Sequence, residues 1–150
     1  MKKLLGLLLL LPLLGSEPAR YKYWSAADLK GRARTLSEKL DAKTSLEGLG
    51  TFGRDRAVMV HRNRSGVAEE HETDADLMVM VAGSGELIVG GTMRKPKKTA
   101  PGELRGPSIE GGVRQKLAPG DIVHIPAKTP HQMLLDPGTQ ISYFVLKAKE

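Results

Sequence analysis

Imidazole and carboxylate side chains come together in two short segments of the sequence, GVAEEHETDADLMVMVAG and GDIVHIPAKTPH. In the first segment Glu69 and His71 stand two residues apart, so on a strand both side chains leave the same face. Asp76 follows after a short bend, and His131 ends the second segment. Such groups transfer protons or bind metal ions. Because the chain contains no cysteine, any metal would be held by nitrogen and oxygen atoms.

The first segment resembles the first motif of the cupin superfamily, in the form found in small single-domain bacterial cupins. That motif contains His-x-His, then a glutamate, and ends on a glycine. Here Glu69 takes the place of the first histidine, and His71 takes the place of the second. Asp76 takes the place of the glutamate, and six residues separate it from the closing Gly83, as in the motif. Reading His71 as the first histidine and Thr73 as the second would break the later spacing, so the first register is preferred.

The second segment resembles the second cupin motif more closely. Gly120, Pro126 and His131 stand at the spacing of that motif. Lys128 replaces one of its glycines, and Leu135 replaces its asparagine. The two motifs of a cupin meet at one mouth of the barrel. The resemblance therefore implies that the two segments lie close together in the fold.

Over roughly residues 56–147 the resemblance implies a jelly-roll β-barrel with a small-molecule or metal site in its lumen. Cupins commonly hold a divalent metal with three histidines and a glutamate. The ligand set that the resemblance implies here is Glu69, His71, Asp76 and His131. Iron, manganese, nickel or zinc suits such donors, and no organic cofactor is expected. The alternative is a cupin fold without metal, in which both carboxylates are solvated hairpin residues and His71 lies at the rim.

Three further polar residues belong to the candidate strands. His61 shares a strand face with Met59 and is expected to be structural. His124 shares a face with Ile122, and an outward or interface position is expected for it. Tyr143 and Phe144 alternate across the last strand, so one of them should face the lumen. Tyr143 is the candidate catalytic residue, because a phenol can supply a proton or a hydrogen bond.

The apolar pattern predicts one helix before the strands. Ser25 is a typical N-cap, and Asp28 stands where its side chain can bond back to the cap. Apolar residues then recur at spacings of four, three and four, at Leu29, Ala33, Leu36 and Leu40. This stripe predicts a helix over about residues 26–42. Residues 47–54 contain three glycines and are expected to connect the helix to the strands.

From residue 56 onward the chain carries short β-branched and aliphatic runs separated by glycine, proline and aspartate. About eight such runs predict an all-β fold, here a cupin-type jelly-roll barrel with an N-terminal α-helix. Residues 92–112 do not fit this rhythm and are expected to form a long loop, either a lid or an insertion. The residues expected to be mostly buried are Val79, Val81, Leu87, Val89, Ile122, Val123, Ile125, Leu134 and Val145.

The first residues have the layout of a secretory signal peptide. Lys2 and Lys3 precede an apolar run of about eleven residues, whereas spanning a bilayer takes about twenty. We therefore expect a signal peptide over residues 1–19, no stable membrane anchor, and a periplasmic or secreted protein. The helix and connection then occupy residues 20–50, and the cupin barrel occupies residues 51–150.

The charge pattern bears on partners. The net charge is +6, and much of it lies in one stretch rich in proline and glycine, at Arg94, Lys95, Lys97 and Lys98. The sequence has no basic stripe interleaved with aromatic residues and no nucleic-acid-binding motif, so a nucleic-acid partner is not expected. A homodimer is expected, because cupins often pair through their sheets.

Two functions fit these features. The first is an exported metal-dependent enzyme of the oxygenase or isomerase type that the resemblance implies. Its metal would orient a small molecule and polarise the oxygen atoms of that molecule. The second is a non-catalytic binding, sensor or carrier module that holds a small-molecule ligand in the lumen. A fold alone does not decide between these two functions.

Overall fold

The computed structural model describes residues 21–39 and 44–150. The expected signal peptide lies outside the described residues. One helix, α1 (Ala26–Glu38), precedes the strands. Within the part of the chain that the structure describes, we find no helix with the length and apolarity needed to span a bilayer.

Helix α1 begins where the sequence predicts it. The backbone N–H of Asp28 donates to Ser25 Oγ at 3.0 Å, and the Ser25 N–H donates to the Asp28 carboxylate at 3.2 Å. This reciprocal pair is a capping box, and the hydrogen bond from Ser25 lowers the pKa of Asp28. The helix ends at Glu38, before the end that the apolar spacing predicts. Ala33 and Leu36 are its buried residues.

Thirteen strands follow the helix in the described residues. In chain order they are β1 (Thr44–Phe52), β2 (Asp55–Arg62), β3 (Ala68–His71), β4 (Asp74–Gly83), β5 (Gly85–Val89), β6 (Thr92–Met93), β7 (Lys97–Ala100), β8 (Glu103–Gly106), β9 (Ile109–Glu110), β10 (Val113–Leu117), β11 (Ile122–Ile125), β12 (His131–Leu134) and β13 (Ile141–Lys149).

The strands form two larger antiparallel sheets that pack face to face. The first sheet has the order β1-β2-β13-β4-β11, and the second has the order β10-β5-β12-β3-β8-β7. The short strands β6 and β9 pair with each other. This arrangement is the predicted jelly roll with an N-terminal helix. Its two inner faces enclose the space in which the candidate site lies.

The main core fills the space between the two sheets. Its buried members are Val60, Met78, Met80, Leu87, Leu117, Ile125, Met133, Ile141, Tyr143 and Val145. A second apolar cluster lies on the outer face of the first sheet, where α1 packs against Met59 and Val81. Alternation along the strand explains the division, because Val60 points into the barrel while the adjacent Met59 points toward the helix.

Two stretches expected to lack regular structure are strands. The predicted connection at residues 47–54 is wrong, since β1 covers most of it and pairs with β2. A register shift between Gly48 and Gly50 accommodates the glycines that suggested a connection. The predicted loop at residues 92–112 is also wrong, because it contains β6 to β9, and β8 continues the second sheet.

The predicted core is correct in part. Four of the nine residues are buried, namely Val81, Leu87, Ile125 and Val145. Four are half-buried, namely Val79, Val89, Val123 and Leu134. Ile122 is 68% exposed, so its assignment to the core is wrong. It lies on the edge strand β11 and alternates with inward-facing residues, sharing the outer face with exposed His124.

Candidate functional site

The two histidines of the predicted motifs meet inside the barrel. His71 ends β3 and His131 begins β12, and their side chains are buried at 3% and 5% exposure. The two strands are neighbours in the second sheet. The ring centroids lie 5.2 Å apart, which confirms the predicted approach of two residues that are sixty positions apart in sequence.

The turn before His131 is hydrogen-bonded to the backbone of His71. The N–H of Lys128 donates to the His71 carbonyl oxygen at 2.7 Å. Lys128 has a φ of 60°, which lies in the left-handed region that favours glycine, and it stands where the second motif has a glycine. The lysine therefore keeps the glycine-like turn, and the turn fixes one histidine relative to the other.

Hydrogen bonds orient both imidazole rings. The Nδ1–H of His131 donates to the Thr129 carbonyl at 3.0 Å, and the Nδ1–H of His71 donates to the Glu103 carboxylate at 2.9 Å. The Nε2 atoms then face Asp76 Oδ2, at 3.4 Å from His71 and 3.6 Å from His131. Metal-binding histidines are held in this way, with one nitrogen bonded to a carbonyl or carboxylate and the other directed to the metal.

Glu69 points toward the same centre. One ligand atom each from Glu69, His71 and His131 can be chosen so that all lie within 4.8 Å of one another. The Glu69 carboxylate also faces two guanidinium groups, at 3.4 Å from Arg62 and 3.5 Å from Arg105. The expected direction of Glu69 is therefore observed. That these residues bind a metal stays a prediction.

Lys147 on β13 reaches the same centre, and the sequence analysis missed it. Its Nζ lies 2.7 Å from Asp76 Oδ1 and 2.8 Å from His71 Nε2. Alternation along β13 places Lys147 on the inner face with Tyr143, which is the signal that could have identified it. Glu103 was missed because it belongs to the stretch predicted as a loop.

The charges at the centre shift the pKa values of its groups. Burial tends to raise the pKa of Asp76, but the hydrogen bonds from His71 and Lys147 and their charges lower it to about 2. Burial tends to lower the pKa of His71, and the Lys147 charge lowers it further, but the interaction with Asp76 and the negative charges of Asp76 and Glu103 raise it, so the net shift is upward. Burial lowers the pKa of His131, and its bond to Thr129 offsets this only in part. Near neutral pH, Asp76 is therefore ionised and His131 is uncharged.

The centre opens into a cavity of about 530 Å³ between the sheets. Its charged lining residues are Arg56, Arg62, Arg105, Lys147, Glu69 and Asp76. Four basic and two acidic side chains leave an excess of two positive charges. Small-molecule sites commonly have volumes of roughly 300 to 1,000 Å³, so the cavity has a suitable size.

Tyr143 also lines the cavity, so it faces the lumen as the strand alternation allows. The phenol oxygen accepts a hydrogen bond from Arg62 Nε at 2.8 Å. Burial raises the pKa of Tyr143, although the Arg62 charge opposes the shift. The phenol therefore keeps its proton at neutral pH. Its catalytic role stays a prediction.

The donor set fits a divalent metal in chemical type and in orientation. Two imidazoles with fixed Nδ1 atoms face two carboxylates, and nitrogen with oxygen donors suits iron, manganese, nickel or zinc. One feature opposes a metal, because the Lys147 ammonium is already hydrogen-bonded to Asp76 and His71.

The other two histidines lie away from this centre. His61 is buried next to α1, with Nδ1 at 2.7 Å from Ser142 Oγ. His124 is exposed on β11. Both observations agree with the structural and outward positions expected from the sequence.

Solved structures with a similar architecture include cupin-domain proteins. A cupin-2 domain protein from Rhodospirillum rubrum matches with a TM-score of 0.53 and 15% identity, over 72% of this chain and 61% of that chain. The fold is that of a cupin. The polyketide cyclase RemF from Streptomyces resistomycificus matches with a TM-score of 0.51 and 17% identity, over 71% of this chain and 67% of that one.

A third similar structure is the DMSP lyase DddQ from Ruegeria pomeroyi, with a TM-score of 0.51 and 18% identity. The match covers 74% of this chain and only 49% of the lyase, so this chain spans about half of that protein. At such identities the likeness shows the fold alone. No protein-family model matches the sequence, and no curated protein matches it.

Proposed function

We propose that this chain is a metal-dependent enzyme, of the isomerase or oxygenase type, that acts on a small anionic molecule in the barrel cavity. The observation that carries this proposal is the convergence of His71 Nε2 and His131 Nε2 on Asp76 at the wall of the cavity. Two structurally similar proteins, a polyketide cyclase and a DMSP lyase, are enzymes, so the fold is one that accommodates catalysis.

The side chains at the centre have separate roles in this proposal. Glu69, His71 and His131 would hold the metal, and Asp76 would be a fourth ligand. A bound divalent metal would polarise an oxygen atom of the substrate. Tyr143 would donate a hydrogen bond to the substrate, since Arg62 donates to its oxygen and leaves the phenol hydrogen available.

The positive lining of the cavity favours an anionic substrate. Arg105 is 43% exposed, and its contacts with Glu69 at 3.5 Å and Glu103 at 3.9 Å are long for hydrogen bonds. Its guanidinium therefore has donors available for a carboxylate or phosphate group. Arg62 is more constrained, because it also bonds Tyr143 and Thr44.

The test of this proposal is a measurement of metal binding. Untagged protein is stripped with EDTA, dialysed against Mn²⁺, Fe²⁺, Ni²⁺ or Zn²⁺, and assayed by elemental analysis. We expect about one equivalent per chain at saturation, which the double variant His71→Ala/His131→Ala loses. His124→Ala removes an exposed histidine and is the matched control that should keep the metal. Circular dichroism shows whether each variant is folded.

A non-catalytic small-molecule-binding module is the second candidate, and Lys147 is the observation that favours it. A folded protein that binds none of the four metals would overturn the enzyme proposal and leave the binding module. A thermal-shift screen with small carboxylates would then test that module directly. Arg105→Gln should weaken binding of the carboxylate, whereas Arg114→Gln, on the outer strand β10, should not.

Export and dimerisation are further parts of the proposal. Fractionation of cells that express the full chain tests export, and we expect soluble protein outside the cytoplasm. Light scattering after size-exclusion chromatography tests the expected homodimer. Full-length protein in the cytoplasm would contradict export, and a monomer would contradict dimerisation.

A further inference from the structure

The Lys147 ammonium lies next to the buried Asp76 carboxylate, in the position where the proposed metal would bind. The ammonium contacts Asp76 Oδ1 at 2.7 Å and His71 Nε2 at 2.8 Å, and these are two of the four proposed ligands. The side chain is 18% exposed, and Asp76 is 3% exposed. A positive charge thus compensates the buried carboxylate without any metal.

A divalent metal and this ammonium exclude each other. Metal–ligand bonds to imidazole nitrogen and carboxylate oxygen are about 2.0 to 2.2 Å long. His71 Nε2 has one lone pair, and the Lys147 ammonium holds it at 2.8 Å, so a metal bound to that nitrogen must take the place of the ammonium. The two positive charges would also repel each other at short range. Binding of the metal requires that the lysine leave.

The lysine is able to leave. Its partners among the described residues are the Asp76 carboxylate and the His71 ring, and the side chain lines the open cavity. A long, flexible side chain can move its ammonium from these contacts into the cavity, where solvent is available. The free energy needed for that movement makes metal binding less favourable and so lowers the affinity of the centre for metal.

We propose that Lys147 is a built-in competitor for the metal position, so that it lowers the affinity of the centre for divalent cations. The inference rests on the proposed metal site and adds a residue that sets its affinity. It predicts that the wild-type centre alternates between two states. In one state the Lys147 ammonium neutralises Asp76, and in the other state a metal replaces the ammonium.

The test compares metal affinity in two lysine variants of the same strand. Lys147→Met removes the competing charge and keeps an apolar side chain of similar length. Lys149→Met is the matched control, because Lys149 Nζ bonds Asp74 at 2.6 Å and Thr73 at 3.0 Å, away from the centre. Affinities for Zn²⁺ and Mn²⁺ are measured by competition with a chromophoric chelator.

We expect Lys147→Met to bind metal at least tenfold more tightly than the wild-type chain, and Lys149→Met to stay within about twofold. An equal gain in both variants would show a general charge effect and overturn the inference. A wild-type chain that binds metal and a Lys147→Met variant that binds no more tightly would overturn the inference alone. Absence of binding in every variant would overturn the metal site as well.

A second measurement uses the wild-type chain and does not depend on whether a variant folds. Acetic anhydride labels accessible lysine amines, and mass spectrometry reports the rate at each lysine. Saturation with Zn²⁺ should raise the labelling rate of Lys147 severalfold, because the amine is displaced into the cavity, and should leave Lys149 unchanged. An unchanged rate at Lys147 with metal bound would overturn the inference.

Discussion

Buried histidines lie on both sides of the first sheet, and their surroundings differ in charge. His71 and His131 face its inner side from the second sheet, and His61 lies on its outer side. His71 and His131 lie within 4 Å of the Asp76 carboxylate in the lumen, whereas His61 lies on the other face, where it lines a small space together with residues of α1. The pKa of His61 is lowered by burial alone, but the pKa of His71 is raised by its charged neighbours. Equal burial therefore produces different acid–base behaviour.

The hydrogen bonding differs in the same way. Both nitrogens of His71 have partners, at Glu103 and Lys147. His61 uses Nδ1 for Ser142, and its Nε2 has no hydrogen-bond partner among the described residues. The strand face, rather than the residue type, therefore sets the surroundings of each histidine. His71 lies among charged groups that bond both of its nitrogens, whereas His61 is bonded at Nδ1 by Ser142.

The largest expected loss of stability is in the inner cluster, which consists of Asp76, His71, His131 and Lys147 in the lumen. Asp76→Ala leaves the Lys147 ammonium without its carboxylate, and breaking a buried charge pair in this way costs about 3 to 5 kcal/mol. We expect this loss in the free energy of unfolding, measured by urea denaturation in EDTA.

The double variant Asp76→Ala/Lys147→Met provides the control for the charge. It removes both partners, so the uncompensated ammonium is absent and the loss should be smaller than in Asp76→Ala alone. A double variant that is no more stable than the single variant would show that the loss arises from packing. The inner cluster would then resemble the outer one.

A smaller loss of stability is expected in the outer cluster, which is the hydrogen-bonded pair of His61 and Ser142 on the outer face of the first sheet. Ser142→Ala removes the hydroxyl that bonds His61 Nδ1 and leaves a buried polar ring without a partner, which costs about 1 to 3 kcal/mol. The control Ser84→Ala changes an exposed residue in the connection between β4 and β5 and should stay within about 0.5 kcal/mol. A loss in Ser142→Ala as large as that in Asp76→Ala would remove the energetic distinction between the two faces.

Local signals predicted much of this fold. The capping residues placed the start of α1, and short β-branched or aliphatic runs between turn residues located the strands from β2 to β5 and from β10 to β13. The motif spacing predicted that His71 and His131 approach each other, since it carries the register of two distant strands. These features depend on residues close together in sequence or on a motif that encodes a fold.

The parts that sequence analysis missed depend on contacts between distant strands. Glu103 reaches His71 because β8 pairs with β3, and nothing in the short, polar β8 indicates that pairing. Lys147 reaches Asp76 because β13 lies beside β4, and a lysine side chain is most often solvated. The prediction for Ile122 was wrong in the opposite sense. It was expected to be buried because it is apolar, but its side chain lies outward on an edge strand.

The smallest expected effect is an ordering of histidine pKa values, measured by NMR titration of the imidazole protons in EDTA. His71 should lose its proton above about pH 6.5, the value for a free histidine, whereas His61 and His131 should lose theirs below it. The signs for stability follow. His71 contributes stability at low pH that is lost as the pH rises through its raised pKa, and His61 destabilises the fold as the pH falls below about 6.5.

Glu103→Gln sharpens this ordering, because it keeps a hydrogen-bond acceptor near His71 Nδ1 while removing the negative charge. The pKa of His71 should fall in this variant, and that of His61 should not move, since His61 lies on the outer face next to α1. A shift of both histidines would mean that the fold rather than the local charge had changed. A His71 pKa that stays constant would mean that the Glu103 charge does not raise it, and the electrostatic role assigned to Glu103 would then be wrong.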